Sequence, residues 1–124
     1  MKYIIDTYYL LEFLEGKEEV VKKIISLPAD EWYITIFNHS EMMYILNSKN
    51  NYAYNLHFIK EFLKKFQILE FDKRASNVFA KIKWDYNYHD LELLKISIAL
   101  VNNAFFVSNK EYKVKGLKLL NINP

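Results

Sequence analysis

The first fourteen residues, Met1–Leu14 (MKYIIDTYYLLEFL), decide how the rest of the chain is read. Apolar Tyr3, Ile4 and Ile5 run into Asp6 and Thr7, after which Tyr9, Leu10, Phe13 and Leu14 recur at helical spacing. The pattern predicts a short buried strand over 2–6 and a helix over 7–15, closed by Gly16. In open α/β sheets, ligands bind beyond the carboxyl ends of the strands, so an acid placed there stands where chemistry is done. Asp6 has a plainer reading as an N-cap, its carboxylate taking a bond from an unpaired N–H of the first turn. What favours a site is recurrence of the arrangement along the chain.

Working outward, Val20, Val21, Ile24 and Ile25 alternate with Lys22 and Lys23 and predict an amphipathic helix over 17–26, ended by Pro28. Trp32–Phe37 (WYITIF) is β-branched and aromatic and predicts a second strand. Asn38 then reads as an N-cap with Glu41 three residues later, as in a capping box, ahead of Met42, Met43, Ile45 and Leu46 in helical rhythm. A buried strand has again delivered an acid to the mouth of a helix.

A longer helix is predicted over 52–66, with Tyr54, Phe58, Phe62 and Leu63 inward and Lys60, Lys64 and Lys65 outward. Phe66–Phe71 (FQILEF) predicts a third strand, and Asp72 caps a helix reaching Trp84. After the polar loop 85–89, Asp90-Leu91-Glu92 opens a strongly apolar helix to Val101. Ala104–Val107 (AFFV) and Leu117–Ile122 (LKLLNI) supply two last strands. Strands alternating with helices, with no hairpin signal, imply right-handed crossovers and a parallel sheet covered on both faces. The expected architecture is three-layer α/β/α with four or five parallel strands, the N-terminal one central, as a single domain over 1–124.

Composition narrows the chemistry. There is no cysteine, hence no disulfide and no thiolate metal site. Glu12 interrupts the N-terminal apolar run, so no membrane span is expected; Asp6 and the lack of a small-residue cleavage site argue against a signal peptide, and a soluble cytoplasmic protein is expected. Net charge is only +2, but residues 1–62 carry 6 basic and 9 acidic side chains and residues 63–124 carry 11 and 6. A basic half beside gathered acids suits a partner rich in phosphate.

The polar groups at strand ends and helix mouths are Asp6, Glu41, Asp90 or Glu92, and Asn109 with Glu111. Carboxylates without cysteine, or histidine at ligand spacing, suit Mg²⁺ or Mn²⁺ rather than zinc. Brought together they would repel by on the order of 4 kcal/mol per pair at an effective dielectric near 20. Removing one relieves that repulsion, so Asp6→Asn is expected to keep the fold, slightly more stable in the absence of metal.

Four segments resemble, in order, the motifs of the PIN domain, an α/β/α nuclease fold that includes the VapC toxins. IIDTYYLLEFL resembles the first motif and TIFNHSEMMYIL the second. FQILEFDKRASNVFAKI resembles the strand and helix before the third, and DLELLKISIALVNNAFFVSNKEY the third and fourth. The resemblance implies metal-dependent hydrolysis of RNA phosphodiester bonds, an Mg²⁺- or Mn²⁺-dependent endoribonuclease, and an antitoxin protein as a possible partner. It assigns Asp6 and Glu41 as the first two metal-binding acids and Thr7 as the hydroxyl beside the first. Local pattern and residue type favour Asp90 for the third acid, while a gapless count back from Ala104–Val107 favours Glu92. Ser108 stands at the family's Thr or Ser. The fourth acid lacks a clean counterpart, its place falling to Asn109, Lys110 or Glu111.

Lys60, Lys64 or Lys65, Lys81, Lys83 and Lys110 are candidates for phosphate contacts, with Thr7 and Ser108 beside the acids. Tyr8, Tyr9 and Tyr88 are candidates for stacking, and His39 for a partner of Glu41. Met42, Met43, Tyr44 and Tyr52–Phe62 are expected to pair two copies as a homodimer. A second reading is a catalytically weakened PIN-like scaffold that binds RNA or a protein, favoured by the irregular fourth motif. A phosphotransfer receiver is excluded, because no segment supplies both its phosphorylatable aspartate and its downstream lysine.

Overall fold

The computed structural model describes residues 1–48 and 53–122. Five strands, β1 (Tyr3–Ile5), β2 (Trp32–Thr35), β3 (Gln67–Leu69), β4 (Phe105–Val107) and β5 (Lys118–Leu120), form one sheet in the order β3-β2-β1-β4-β5. Every pairing is parallel, and β1 is central. Six α-helices accompany them: α1 (Thr7–Leu14), α2 (Glu18–Ile25), α3 (Ile36–Leu46), α4 (Ala53–Leu63), α5 (Lys73–Asp85) and α6 (Asp90–Val101). A 3₁₀ turn, Ala29–Glu31, leads into β2. This is the α/β/α architecture expected.

Alternation along the strands sorts the core into two layers. Ile5 and Val107 face a cluster built with Tyr9 and Leu10 of α1, Ile24 of α2, Met42 of α3 and Phe62 of α4. Ile4 and Phe106 face the opposite cluster, with Ala75 of α5 and Ile96 and Ala99 of α6. A strand of period two thus feeds both layers from successive residues.

Helix ends follow local chemistry. Gly16, at φ 76°, closes α1: its N–H bonds Phe13 O and the Lys17 N–H bonds Glu12 O, the two bonds of a Schellman motif. Asn103, at φ 51°, does the same for α6, with Ala104 N–H on Ala99 O. Asp72 caps α5 by accepting from Ala75 N–H, as expected.

Two expectations are corrected. β2 stops at Thr35, not Phe37, because Thr35 and Asn38 form the capping box of α3; Asn38 is the third helical residue and not the cap. Glu41 therefore lies in the second turn, outside any box. Phe58 does not turn inward but is 61% exposed, and Met42, offered for dimer contact, is fully buried. Tyr52 and the Tyr54 side chain lie outside what is described.

Candidate active site

β1, β2 and β4 end side by side, and the residues just past them converge on Asp6. Asp6 caps α1 with an extended backbone, and its Oδ1 accepts from Thr7 N–H at 2.9 Å. The same oxygen accepts from the Asn38 amide at 2.9 Å and from the Lys95 ammonium at 2.9 Å. Its other oxygen, Oδ2, accepts from the Ser108 hydroxyl at 3.0 Å. Cap and convergence point are one residue.

Asn38 is held for this task by Thr35, whose backbone N–H and hydroxyl both donate to Asn38 Oδ1, at 2.9 and 2.7 Å. With its oxygen so occupied, the amide nitrogen is left to donate to Asp6 and, at 3.1 Å, to the Thr7 hydroxyl. Thr7 passes the chain on, donating to Glu41 Oε1 at 2.6 Å. Lys95 Nζ also lies 2.5 Å from that Glu41 oxygen, so one ammonium joins both acids. Burial works against the charge on Lys95, but Asp6 and Glu41 outweigh it and hold the ammonium above its ordinary pKa.

Beside this group opens a cleft of about 520 Å³, lined by Asp6, Thr7, Tyr8, Glu41, Glu92, Lys95, Asn109, Lys110 and Tyr112, among others. Glu92 reaches it from the first turn of α6. Its Oε2 accepts from the Tyr112 hydroxyl at 2.5 Å and from Lys110 at 3.2 Å, and its Oε1 from His89 N–H at 3.3 Å. Burial would raise the Glu92 carboxyl, but these donors prevail and hold it below its ordinary range. Burial, reinforced by Glu92, pushes the Tyr112 phenol far upward.

The remaining candidates separate cleanly. Asp90 is exposed, pairs with Lys83 and is absent from the cleft, so of the two acids opening α6 it is Glu92 that lines it. Asn109 and Lys110 are at the cleft, whereas Glu111 is exposed outside it. Thr7 and Ser108 are buried with hydroxyls committed to Glu41 and Asp6. Lys60 and Lys64 line a different groove, together with His39, which therefore does not attend Glu41. Tyr8 lines the cleft, but Tyr9 is fully buried and Tyr88 stacks on Tyr86.

Two participants were not picked out from sequence, Lys95 and Tyr112. Lys95 had a usable signal: it is the one charge inside Leu93–Val101, a run apolar on every face and hence buried all round. A lysine in such a place needs an acid partner.

A family model described as PIN domain matches residues 3–111. The chain belongs to the PIN-domain family. PIN domains are generally nucleases and PIN nucleases generally use divalent metals. A comparison with curated protein sequences finds no match. Solved structures give the fold full-length support. The DNA-bound VapBC of Salmonella typhimurium is similar at TM-score 0.88 and 15% identity, covering 99% of both chains. VapBC2 of Rickettsia felis, bound to a DNA fragment from its promoter, matches at TM-score 0.84 and 20% identity over 98% of both chains. A toxin–antitoxin complex from Klebsiella pneumoniae matches at 0.82 and 12% identity, over 99% of this chain and 98% of that one.

The PIN chain therefore has the family's fold, but its carboxylates are not disposed for a divalent ion. Among the described residues no three His, Cys, Asp or Glu side chains are placed closely enough to hold a metal ion. Asp6 and Glu41 are both taken by Lys95, Glu92 by Tyr112 and Lys110, and Asp90 by Lys83. The mutual repulsion expected of gathered acids is answered from within the chain, by a lysine.

Proposed function

We propose that this PIN protein is the RNA-cleaving toxin of a toxin–antitoxin pair, acting on phosphodiester bonds in the cleft beside Asp6. The observation that carries the reading is the meeting of Asp6, Glu41 and Glu92 around one cleft at the carboxyl edge of β1, with Lys110 at its mouth. The full-length likeness to VapBC chains supports the pairing with an antitoxin. No helix among the described residues is long and apolar enough to cross a membrane.

In this reading the chain's own groups divide the work. Lys110, with an exposed side chain, meets phosphate oxygens without reading sequence. Tyr8, 42% exposed at the rim, offers a ring for a base. Glu41, whose side chain is 30% exposed, takes the proton of a water that attacks phosphorus, the P–O bond to the departing ribose oxygen breaks, and that oxygen takes a proton from solvent. Asp6 is the anchor, fixing Thr7, Asn38, Lys95 and Ser108. Mg²⁺ or Mn²⁺, the ions the resemblance implies, find no free pair of carboxylates in this arrangement.

Cleavage of single-stranded RNA by the full chain, followed in EDTA and in Mn²⁺, tests the reading. Cleavage that is lost in Glu41→Gln while RNA is still bound supports it. RNA bound but left intact under both conditions selects the second reading, a scaffold that holds RNA or a protein without cutting. The Lys95 ion pairs are the observation that favours that alternative. Two copies are proposed to associate through the α3–α4 surface, where Tyr44 and Phe58 stand 81% and 61% exposed. Light scattering that finds a monomer at high micromolar concentration would refute the association.

A further inference from the structure

We propose that the Lys95 ammonium is the resident cation of this centre, occupying Asp6 and Glu41 so that no divalent ion binds between them. The inference rests on reading the cleft as the family's acidic centre, but not on RNA being cut there.

Three features carry it. The Lys95 side chain is 7% exposed and comes from the middle of α6, so it is packed into place and not swept in from the surface. Its nitrogen is 2.9 Å from Asp6 Oδ1 and 2.5 Å from Glu41 Oε1, so one ammonium sits between the two acids. Asp6 Oδ1 is crowded, since it also serves Thr7 and Asn38, while Oδ2 accepts from Ser108.

A small divalent ion demands oxygens at about 2.0–2.1 Å in near-octahedral array. It would have to displace an ammonium from the same hole, against the repulsion of its own charge. The third carboxylate near the cleft is no reserve, because Lys110 and the Tyr112 hydroxyl hold Glu92. Charge compensation that the family draws from solution is here written into α6.

The test is Mn²⁺ titration of the full chain by calorimetry and thermal shift, on wild type, Lys95→Met, Lys95→Arg and Asp6→Asn. Wild type and Lys95→Arg are expected to give neither heat nor stabilisation with millimolar Mn²⁺. Lys95→Met is expected to melt lower in EDTA and to gain Mn²⁺ binding at least tenfold tighter than wild type, with recovery of its melting temperature. Micromolar Mn²⁺ binding by wild type that Asp6→Asn abolishes overturns the inference, and that arm holds even if Lys95→Met fails to fold. A folded Lys95→Met that gains no Mn²⁺ binding also overturns it. RNA cleavage is read separately. Strictly Mn²⁺-dependent cleavage by wild type sinks the resident-cation proposal and keeps the nuclease, while a wild type that binds no Mn²⁺ and cuts no RNA with or without it does the reverse.

Discussion

The hydroxyl of Ser108 donates to Oδ2 of Asp6 at 3.0 Å, tying the end of β4 to the end of β1 across 102 residues of sequence. With Thr7, Asn38 and Lys95 on Oδ1, the buried carboxylate accepts four donors. Asp6→Asn replaces one accepting oxygen by a donating nitrogen, which must then confront a donor. Losing a hydrogen bond to a charged group costs about 1.5–3 kcal/mol, and a loss of that order is expected in urea unfolding at pH 7. A loss is expected in place of the small gain from relieved repulsion, because Lys95 between the two acids already offsets much of that repulsion. A variant as stable as wild type would contradict the four-donor geometry.

Glu92 supplies a pH dependence with a definite sign. Its carboxyl is held low in the fold, burial being outweighed by Tyr112, Lys110 and the His89 N–H. The stabilisation is therefore complete above the ordinary glutamate value, about 4.3, and is lost as pH falls through the lower folded value. Glu92→Gln should be less stable than wild type at pH 7 and should lose less on acidification from pH 5 to 3. Parallel stability curves for the two proteins over that range would refute the assignment.

Lys110 pairs with Glu92 yet leaves its side chain 60% exposed at the cleft mouth. Lys110→Ala should weaken RNA binding whatever the sequence and lower the salt slope of log K by about 0.7, the single-strand value for one phosphate. Stability should fall only a little, since the Lys110 end of the pair is open to solvent and Glu92 keeps the Tyr112 hydroxyl and the His89 N–H. Binding measured from low to moderate salt checks the slope; an unchanged slope places the phosphate elsewhere.

Gly16 isolates a backbone effect. At φ 76° it closes α1, and a Cβ built there meets nothing within 4 Å. The whole penalty of Gly16→Ala is then conformational, about 1–2 kcal/mol for an L-residue in the left-handed region. Thermal unfolding checks it, and a neutral substitution would mean the turn readjusts.

Legibility in the sequence depended on which interactions were local. Period-two and period-3.6 patterns placed all five strands, all six helices and the central position of β1, because each pattern reports a buried face directly. Element ends were less exact: Phe37 was read as strand because it is aromatic, whereas the Thr35–Asn38 hydrogen bonds start the helix two residues earlier. Asp6 and Glu41 were legible as acids at strand ends. The choice between Asp90 and Glu92 was not, since both open the same helix and only its rotation sends Glu92 to the cleft and Asp90 to Lys83. The partnership of Lys95 with Asp6 and Glu41 spans 89 and 54 positions and has no short-range trace beyond a charge in an apolar run.

The position of β1 bears on how the molecule is made. Its partner on one side, β2, leaves the ribosome early, but Tyr3 must wait for Phe105 before its other edge is covered. Throughout most of synthesis the middle of the future sheet is a bare strand edge, the kind of surface that invites wrong pairing. The acidic centre is likewise unfinished until Lys95 and Ser108 have emerged. A nascent chain interrupted before α6 therefore carries Asp6 and Glu41 without their cation, and one interrupted before β4 still lacks the Ser108 hydroxyl on Asp6.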